Sequence, residues 1–419
     1  MNIWVFQTGE PLPLDQGDVR PMRAINLCNE LIRKGHRVKL WSADFNHQTK
    51  QFRGQAGQDI RIGDDLEIVL IPSAGYQKNI GLGRLADHAG LAKNLKRLLA
   101  EETEVPNVAF VGYPPIETAY VFSRWLKRKN VPFLLDVKDQ WPNIFVNALP
   151  RFLQPIGPVL LWPYFHCARQ SMRSASGISA MAEGFLDWAV KLAGRARSEH
   201  DQVFSLSTPT EQVSEEELHQ ASQWWQEFGV CNDGLPRLYF VGSFSPAFDF
   251  VPIYRAAQLA IERGDRWQFV LCGDGAVAAE VRSMMSDLPN VIFPGWIDRP
   301  KIESLSKCCI ASIAPYRNTP DFMLSIPNKI IDSLALGLPV LSPLKGEVES
   351  LIQAHAVGLA YQAEAGVGVN SLCHAIERLI EDKKLQNSMS SNARELYNAR
   401  FSFERVYGSL VTHLEQLAV

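Results

Sequence analysis

Two stretches of this 419-residue sequence hold side chains whose types and spacing can do chemistry. The first is Ser325-Ile-Pro327-Asn328-Lys329-Ile-Ile-Asp332, followed by Gly337-Leu-Pro339-Val340. It reads as a helix start with an acid inside the helix, then Gly and Pro leading into a strand. Backbone N–H groups at a helix opening lack intrahelical acceptors and carry the positive end of the helix dipole, so residues 325–328 form an anion site suited to a diphosphate. Pro327 fits the first turn because its missing donor costs nothing there. Asp332, about one turn further in, either accepts two hydrogen bonds from ribose hydroxyls or is a solvated acid on a capped helix.

The second stretch is Asp136-Val-Lys138-Asp139-Gln-Trp141-Pro142. Two carboxylates three residues apart with a cation between them, at the carboxyl end of a strand, point into the crevice of an α/β sheet. Asp139 is then expected to orient or deprotonate a hydroxyl group, with Asp136 and Lys138 setting its charge. The other reading is an ion cluster that steadies a loop.

The elements that must position these residues follow from periodicity. Residues 2–6 are a strand, residues 20–34 show helical spacing in Ile25, Leu27, Leu31 and Ile32, Gly35-His36 ends that helix, and residues 37–41 are the next strand. Further strands are expected at 67–71, 108–111, 133–136 and 177–179, with helical patterns at 91–100 and 116–129. This alternation predicts a parallel sheet covered by helices. After a polar, acidic stretch containing Trp224 and Trp225, the pattern restarts at residue 238 and alternates strand and helix through residue 342. The segment from residue 396 to 417 is amphipathic, with Phe401, Phe403, Val406, Tyr407, Leu410, Val411 and Leu414 at helical spacing. A chain of this length exceeds what one core supports, and the expectation is two doubly wound domains with a cleft. Their boundaries are 1–205 and 237–399, with a helical excursion at 206–236 and a crossing helix at 400–419.

Composition excludes several classes. A hydrophobic content of 46% with 21% charged residues is that of a globular protein. Residues 1–200 carry 25 Lys+Arg against 19 Asp+Glu, whereas residues 201–419 carry 17 against 26, so the amino half is basic and the carboxyl half acidic. The basic half suits an anionic acceptor or the anionic inner membrane leaflet, or is an ordinary solvated face. A pI of 6.3 speaks against nucleic acid. The seven cysteines include no CxxC and no Cys/His pair at metal spacing, which argues for reduced thiols and a cytoplasmic setting. The first residues lack the pattern of a secretory signal. Residues 149–167 are the most membrane-like stretch, but Arg151, Pro155, Pro158 and Pro163 prevent one regular spanning helix. Its aromatic and aliphatic side chains either lie in a membrane interface beside Arg151, Arg169 and Arg173, or pack as an ordinary segment.

The stretch ending in Asp332-Ser-Leu-Ala-Leu-Gly337-Leu-Pro339-Val340 resembles the signature "E-A-x-A-x-G-x-P-V" of the retaining glycosyltransferases of family 4, with Asp332 in the place of the glutamate. Ser325-Ile-Pro327-Asn328-Lys329-Ile-Ile-Asp332 is similar to the "S-P-N-K-x-x-E" of the subgroup that builds O-antigen and capsule repeat units. Leu324 stands where the fuller family motif has another glutamate. Gly17-Asp-Val-Arg20-Pro-Met-Arg23 with the later Gly35-His36 looks like the family's amino-terminal glycine loop and helix ending. Tyr113-Pro-Pro and the Asp136–Pro142 stretch resemble the subgroup's "S-P-P" and "D-x-R-D-x-W-P". Gly242-Ser243, Gly273-Asp-Gly and Gly295-Trp296-Ile297 resemble the loops of the second domain, the last binding the base. No cation follows Gly242-Ser243, so Lys329, Arg317, backbone amides or a metal would meet the diphosphate charge. Lys345-Gly346-Glu347 resembles a further glycine near the sugar.

The resemblance implies the GT-B fold, two Rossmann-like domains facing across a cleft, with the final helix crossing back to the first. It implies transfer of a sugar from a nucleotide-sugar, UDP-linked or GDP-linked, to a lipid-linked or oligosaccharide acceptor in surface polysaccharide assembly. The nucleotide-sugar is a substrate, and no cofactor is required. Donor binding falls to Gly17, Gly242, Ser243, Gly273, Gly295, Trp296, Ile297, Arg317, Ser325, Pro327, Asn328, Lys329 and Asp332, and acceptor binding to Arg20, Arg23 and Tyr113. A sugar-nucleotide 2-epimerase would need further acid and base groups. A silent binding or scaffold homologue is motivated by Leu324 and the missing cations. A nicotinamide dehydrogenase is disfavoured because no GxGxxG follows the first strand.

Overall fold

The computed structural model describes residues 1–16, 21–54, 59–78, 81–207, 213–363 and 368–418. The chain divides into two compact units. The first comprises residues 1–205 and 406–419, and the second residues 206–405.

In the first unit the strands are β1 (Asn2–Phe6), β2 (Arg37–Ala43), β5 (Asp59–Ile62), β6 (Leu66–Ile71), β7 (Val108–Tyr113), β8 (Phe133–Val137), β9 (Gly177–Ala180) and β10 (Gln202–Val203). They form one eight-stranded sheet in the order β10-β9-β8-β7-β1-β2-β6-β5. All neighbours are parallel except β5, which runs antiparallel to β6 at the edge. β7 and β8 are buried along their whole length and β2 from Val38 onward, as expected for a parallel sheet with helices on both faces. A separate two-stranded ribbon, β3 (Phe45–Asn46) with β4 (Gln51–Phe52), projects from the end of β2. The sequence gives little warning of it, because two residues a side show no period.

The helix Phe403–Leu417 completes this unit's core. Val406, Tyr407, Leu410, Val411, Leu414 and Leu417 are buried, and the side-chain amide of Asn26 meets the Tyr407 hydroxyl at 3.5 Å. Burying a side chain of this size contributes roughly 1.5–3 kcal/mol, so the stripe is a large part of what stabilises the unit.

The second unit holds β11 (Arg237–Val241), β12 (Gln268–Cys272), β13 (Val291–Gly295), β14 (Ala311–Ile313), β15 (Val340–Ser342) and β16 (Gly358–Ala360), all parallel, in the order β13-β12-β11-β14-β15-β16. The order reverses between β11 and β14, which is where such sheets open a crevice for ligands. The helix Glu215–Gln226 is not an excursion between domains, as its polar start suggests, but belongs to this unit. Its Ser214 forms a capping box with Glu217, Trp225 is buried, and the Trp225 indole donates to the Lys301 carbonyl at 2.8 Å. Burial of Trp225 outweighs the acidic first turn.

Candidate functional site

At the switch point of the second sheet three glycine turns stack. Gly242 follows β11 and donates to the Cys272 carbonyl at 3.0 Å, while Gly273 follows β12 and donates to the Gly295 carbonyl at 2.6 Å. Gly242 and Gly273 have φ of 145° and 130°, and a Cβ on Gly273 would run into the Gly242 carbonyl. Only glycine permits that approach, in which both amides are taken up by the neighbouring turns.

Lys329, in the first turn of the helix Asn328–Ala335, lies across this floor. Its Nζ donates to the Val241 carbonyl, occupies the place a Cβ on Gly242 would take, and sits 4.7 Å from the centre of the Phe240 ring. Pro327 is the residue before the helix rather than its first turn. The difference of one residue leaves the dipole end where the sequence put it. The Ser325 hydroxyl donates back to the carbonyls of Asp321 and Phe322, at 3.2 and 3.4 Å. Its hydroxyl proton and its backbone N–H, which donates to the Phe322 carbonyl at 3.2 Å, are therefore both committed to the preceding short helix, and Ser325 offers an anion neither.

Asp332 is half-buried, and its charge helps raise the hydroxyl pKa values of Tyr239 and Tyr316, for which burial is the larger cause. Arg317 lies beside the loop after β11, its guanidinium donating to the Pro246 carbonyl at 3.2 Å and standing 3.5 Å from the Asp249 carboxylate. Trp296 is 74% exposed just beyond β13, whereas Ile297 is buried in the cluster with Tyr239 and Val270. Trp296 thus offers a free ring face, and Ile297 anchors the turn. Ser243 packs its hydroxyl against Gly275.

The second stretch is taken apart by the fold. Asp136 lies within β8 and is fully buried. Its carboxylate receives Arg23 Nη2 and Nε, each at 2.8 Å, and the Ser179 hydroxyl at 2.8 Å. Arg23 also donates to the carbonyls of Phe204 and Ser205. A strand's side chains alternate faces, so Asp136 points under the helix Arg23–Arg33 and not toward a substrate. The assignments of Asp136 to catalysis and of Arg23 to the acceptor are corrected: together they tie strand, helix and chain exit. Tyr113 is corrected likewise, because its buried hydroxyl donates to the Trp141 carbonyl at 2.5 Å and fixes that loop. Gly17 and Arg20 lie outside the described residues.

Lys138 and Asp139, beyond the strand, do line a cavity of about 220 Å³ in the first unit. Lys138 Nζ donates to Glu10 and, at 3.0 Å, to Gln7, and the other Glu10 oxygen accepts from the Ala24 amide at 2.8 Å. Across from them stand Tyr76, Arg84, Asp87, His88 and His47, contributed by the ribbon, the 72–76 loop and the helix Leu82–Glu101. The sequence reading missed these five. A signal existed in Arg84, Asp87 and His88, whose i, i+3, i+4 spacing puts them on one helix face. Burial pushes the imidazoles of His47 and His88 down to about 4, with Lys50 and then Arg84 adding to it at His47 and Arg84 leading at His88. Among the described residues no cluster of His, Cys, Asp or Glu could hold a metal.

Residues 235–382 match the family model described as "Glycosyl transferases group 1". The chain is 22% identical over 371 residues to the Vi polysaccharide biosynthesis protein VipC/TviE of Salmonella typhi, covering 76% of this chain and 60% of that protein. It is 31% identical over 105 residues to the putative teichuronic acid biosynthesis glycosyltransferase TuaH of Bacillus subtilis, a quarter of each chain. The chain thus spans less than two thirds of the length of either relative. Among solved structures, sucrose-phosphate synthase from Thermosynechococcus elongatus superposes with a TM-score of 0.70 at 16% identity, covering 99% of this chain and 98% of that one. HepE of Anabaena, solved with UDP, gives 0.64 at 16% identity over 99% of both chains. Residues 235–382 are a group 1 glycosyl transferase domain, within a chain that has the GT-B glycosyltransferase fold.

Proposed function

We propose that this protein is a retaining glycosyltransferase that moves a sugar from a nucleotide-sugar, UDP-linked in preference to GDP-linked, to a lipid-linked or oligosaccharide acceptor in surface polysaccharide assembly. The observation that carries the reading is Lys329 lying across the stacked turns of Gly242 and Gly273 at the mouth of the helix Asn328–Ala335. The helix's opening amides, its dipole and one cation converge there, and such fixed donors stabilise a departing diphosphate without reorganising. Asp332 holds the ribose, and Trp296 offers its exposed face to the base. HepE structures hold UDP and UDP-glucose, and the named relatives belong to Vi polysaccharide and teichuronic acid synthesis, which supports both donor and pathway class.

In the transfer, the bond from the anomeric carbon to the diphosphate oxygen breaks while a bond from the acceptor oxygen forms on the same face. The acceptor proton passes to the leaving oxygen. Asp139, lining the first unit's cavity, orients that acceptor hydroxyl. Titrating the protein with UDP and GDP calorimetrically tests the donor site. Micromolar binding of UDP is expected, and no binding of either nucleotide would sink the reading.

Acceptor delivery from the inner face of the cell membrane is part of the same proposal. Phe152 and Val159 are 79% and 76% exposed, with Leu160 and Trp162 also open, beside the exposed Arg151, Arg169 and Arg173. Exposed apolar side chains in a segment that also carries exposed arginines suit the interface of an anionic bilayer. Among the described residues no helix is long and apolar enough to cross a membrane. Co-sedimentation with phosphatidylglycerol vesicles, lost in a Phe152→Ser/Trp162→Ser variant, is the expected result, and equal sedimentation of variant and parent would refute this part.

A further inference from the structure

The cavity wall built by the ribbon, the 72–76 loop and the helix Leu82–Glu101 is fastened by its own side chains. Asp87 Oδ1 accepts from the Ser73 hydroxyl and the amides of Ala74 and Gly75, at 2.5, 2.9 and 2.8 Å, and Asp44 Oδ1 accepts from the Ser73 amide at 2.8 Å. Those bonds set the loop that ends in Tyr76. Gly75 lets the loop close on the ribbon, because a Cβ there would meet the rings of Phe52 and Phe45, and Phe45 packs 5.1 Å from Tyr76. On the ribbon, Asn46 Oδ1 accepts from the amides of Gln48 and Thr49, at 2.8 and 3.1 Å, which fixes the turn that carries His47.

Through this wall runs a hydrogen-bonded chain whose direction is set by its two ends. Arg84 bonds the Tyr76 hydroxyl, the hydroxyl meets His47 Nδ1 at 2.5 Å, and Lys50 Nζ stands 3.4 Å from the same nitrogen. A guanidinium and an ammonium only donate. The Tyr76 oxygen therefore accepts from Arg84 and sends its own proton to Nδ1, whose lone pair faces both Tyr76 and Lys50. Burial, with the charges of Lys50 and then Arg84, holds the His47 imidazole down to about 4, so the ring is neutral near pH 7. A neutral imidazole with Nδ1 accepting carries its one proton on Nε2. His47 is half-buried and lines the cavity. The nitrogen left over is thus a donor of one sense, which cannot turn round as a hydroxyl does.

We propose that His47 is a specificity-determining residue for the acceptor, its Nε2–H donating to an oxygen of the acceptor's terminal sugar, a hydroxyl or an acetamido carbonyl. A substituent that can only donate, such as an ammonium group, is refused at that place. Asp139 orients the reacting hydroxyl, and His47 holds the same sugar from across the cavity. The proposal rests on the glycosyltransferase reading and adds a residue that reads the acceptor.

The test uses the full-length protein. With histidine labelled with nitrogen-15, the His47 signals, assigned by their loss in His47→Gln, should show a neutral ring protonated on Nε2 near pH 7; a ring protonated on Nδ1 overturns the proposal. Methyl glucoside and methyl N-acetylglucosaminide are then titrated by saturation-transfer NMR and calorimetry, with UDP in parallel. A glutamine amide places an N–H where Nε2–H stood, so His47→Gln should hold the affinity of the glycoside that binds within about twofold, whereas His47→Phe should weaken it about five- to tenfold. His47→Asn, whose amide reaches only the place of Nδ1 and so keeps the contact with Tyr76, should be as weak as His47→Phe. Parent-like binding in His47→Phe or His47→Asn overturns the proposal, as does a His47→Gln variant as weak as these, or binding of UDP with neither glycoside. Failure to bind UDP as well would instead strike the underlying reading.

Discussion

Arg23 and Asp136, 113 residues apart in sequence, form a two-pronged ion pair that is almost wholly removed from solvent. The pair joins the start of one helix to the middle of β8, and the rest of the guanidinium holds the chain at Phe204 and Ser205 as it leaves the sheet. Removing one partner strands a buried charge. Asp136→Ala should lose on the order of 3–5 kcal/mol of unfolding free energy. Urea denaturation measures this, and a loss below about 1 kcal/mol would show that the pair is not what ties the unit together.

Gly242 cannot accept a side chain, because its φ is 145° and Lys329 Nζ fills the space. Gly242→Ala is expected to displace Lys329 and lower UDP affinity by more than about tenfold, since both the turn and the cation move. Lys329→Met, which leaves the turn intact, should cost roughly one to two powers of ten through the charge alone. Calorimetric titration with UDP separates the two; unaltered affinity in Lys329→Met would remove the lysine from the donor site.

Asp139 and Asp332 divide the work between turnover and binding. Asp139→Asn, which loosens the orientation of the acceptor hydroxyl, should lower kcat by roughly 10² while leaving UDP affinity within about twofold. Asp332→Ala should mainly weaken the nucleotide, by about 1–3 kcal/mol for a carboxylate accepting two hydrogen bonds. Kinetics in which both variants change only KM would undo this division.

The two imidazoles held near 4 give the fold a defined response to acid. In the unfolded chain a histidine takes up its proton near 6.5, whereas in the folded protein His47 and His88 resist it until about 4. The unfolded state therefore binds more protons across that window, and stability falls as pH drops from about 6.5 toward 4. For the more deeply buried His88 the full loss is on the order of 3 kcal/mol. His88→Phe should flatten the slope of stability against pH in this range, as followed by denaturant midpoints at several pH values. An unchanged slope would contradict it.

Long periodic features were legible in the sequence: the central strands of both sheets, the stripe from Val406 to Leu414, and the helix carrying Asp332 between Gly turns. Lys329 and Trp296 were named through the motifs they belong to, and the fold sets Lys329 against the Gly242 turn and Trp296 just beyond β13. What misled was proximity along the chain. Asp136 and Asp139 look like one acidic pair, yet a strand turns the first inward and its end frees the second, so the partner of Asp136 is Arg23 and not its neighbour. Tyr113 sits beside two prolines at a strand's end, but its hydroxyl is taken by the Trp141 carbonyl. The wall with His47, Tyr76, Arg84 and His88 was missed because three separate elements assemble it: the spacing of Arg84 and His88 marks one helix face but does not record which loops meet it.

The return of residues 406–418 to the first unit orders the making of the protein. A ribosome must finish every residue of the second unit before the stripe that closes the first can emerge. The amino-terminal half, though synthesised first, must wait with the bed for Tyr407, Leu410 and Leu414 uncovered, while the carboxyl-terminal half can reach its final packing without it.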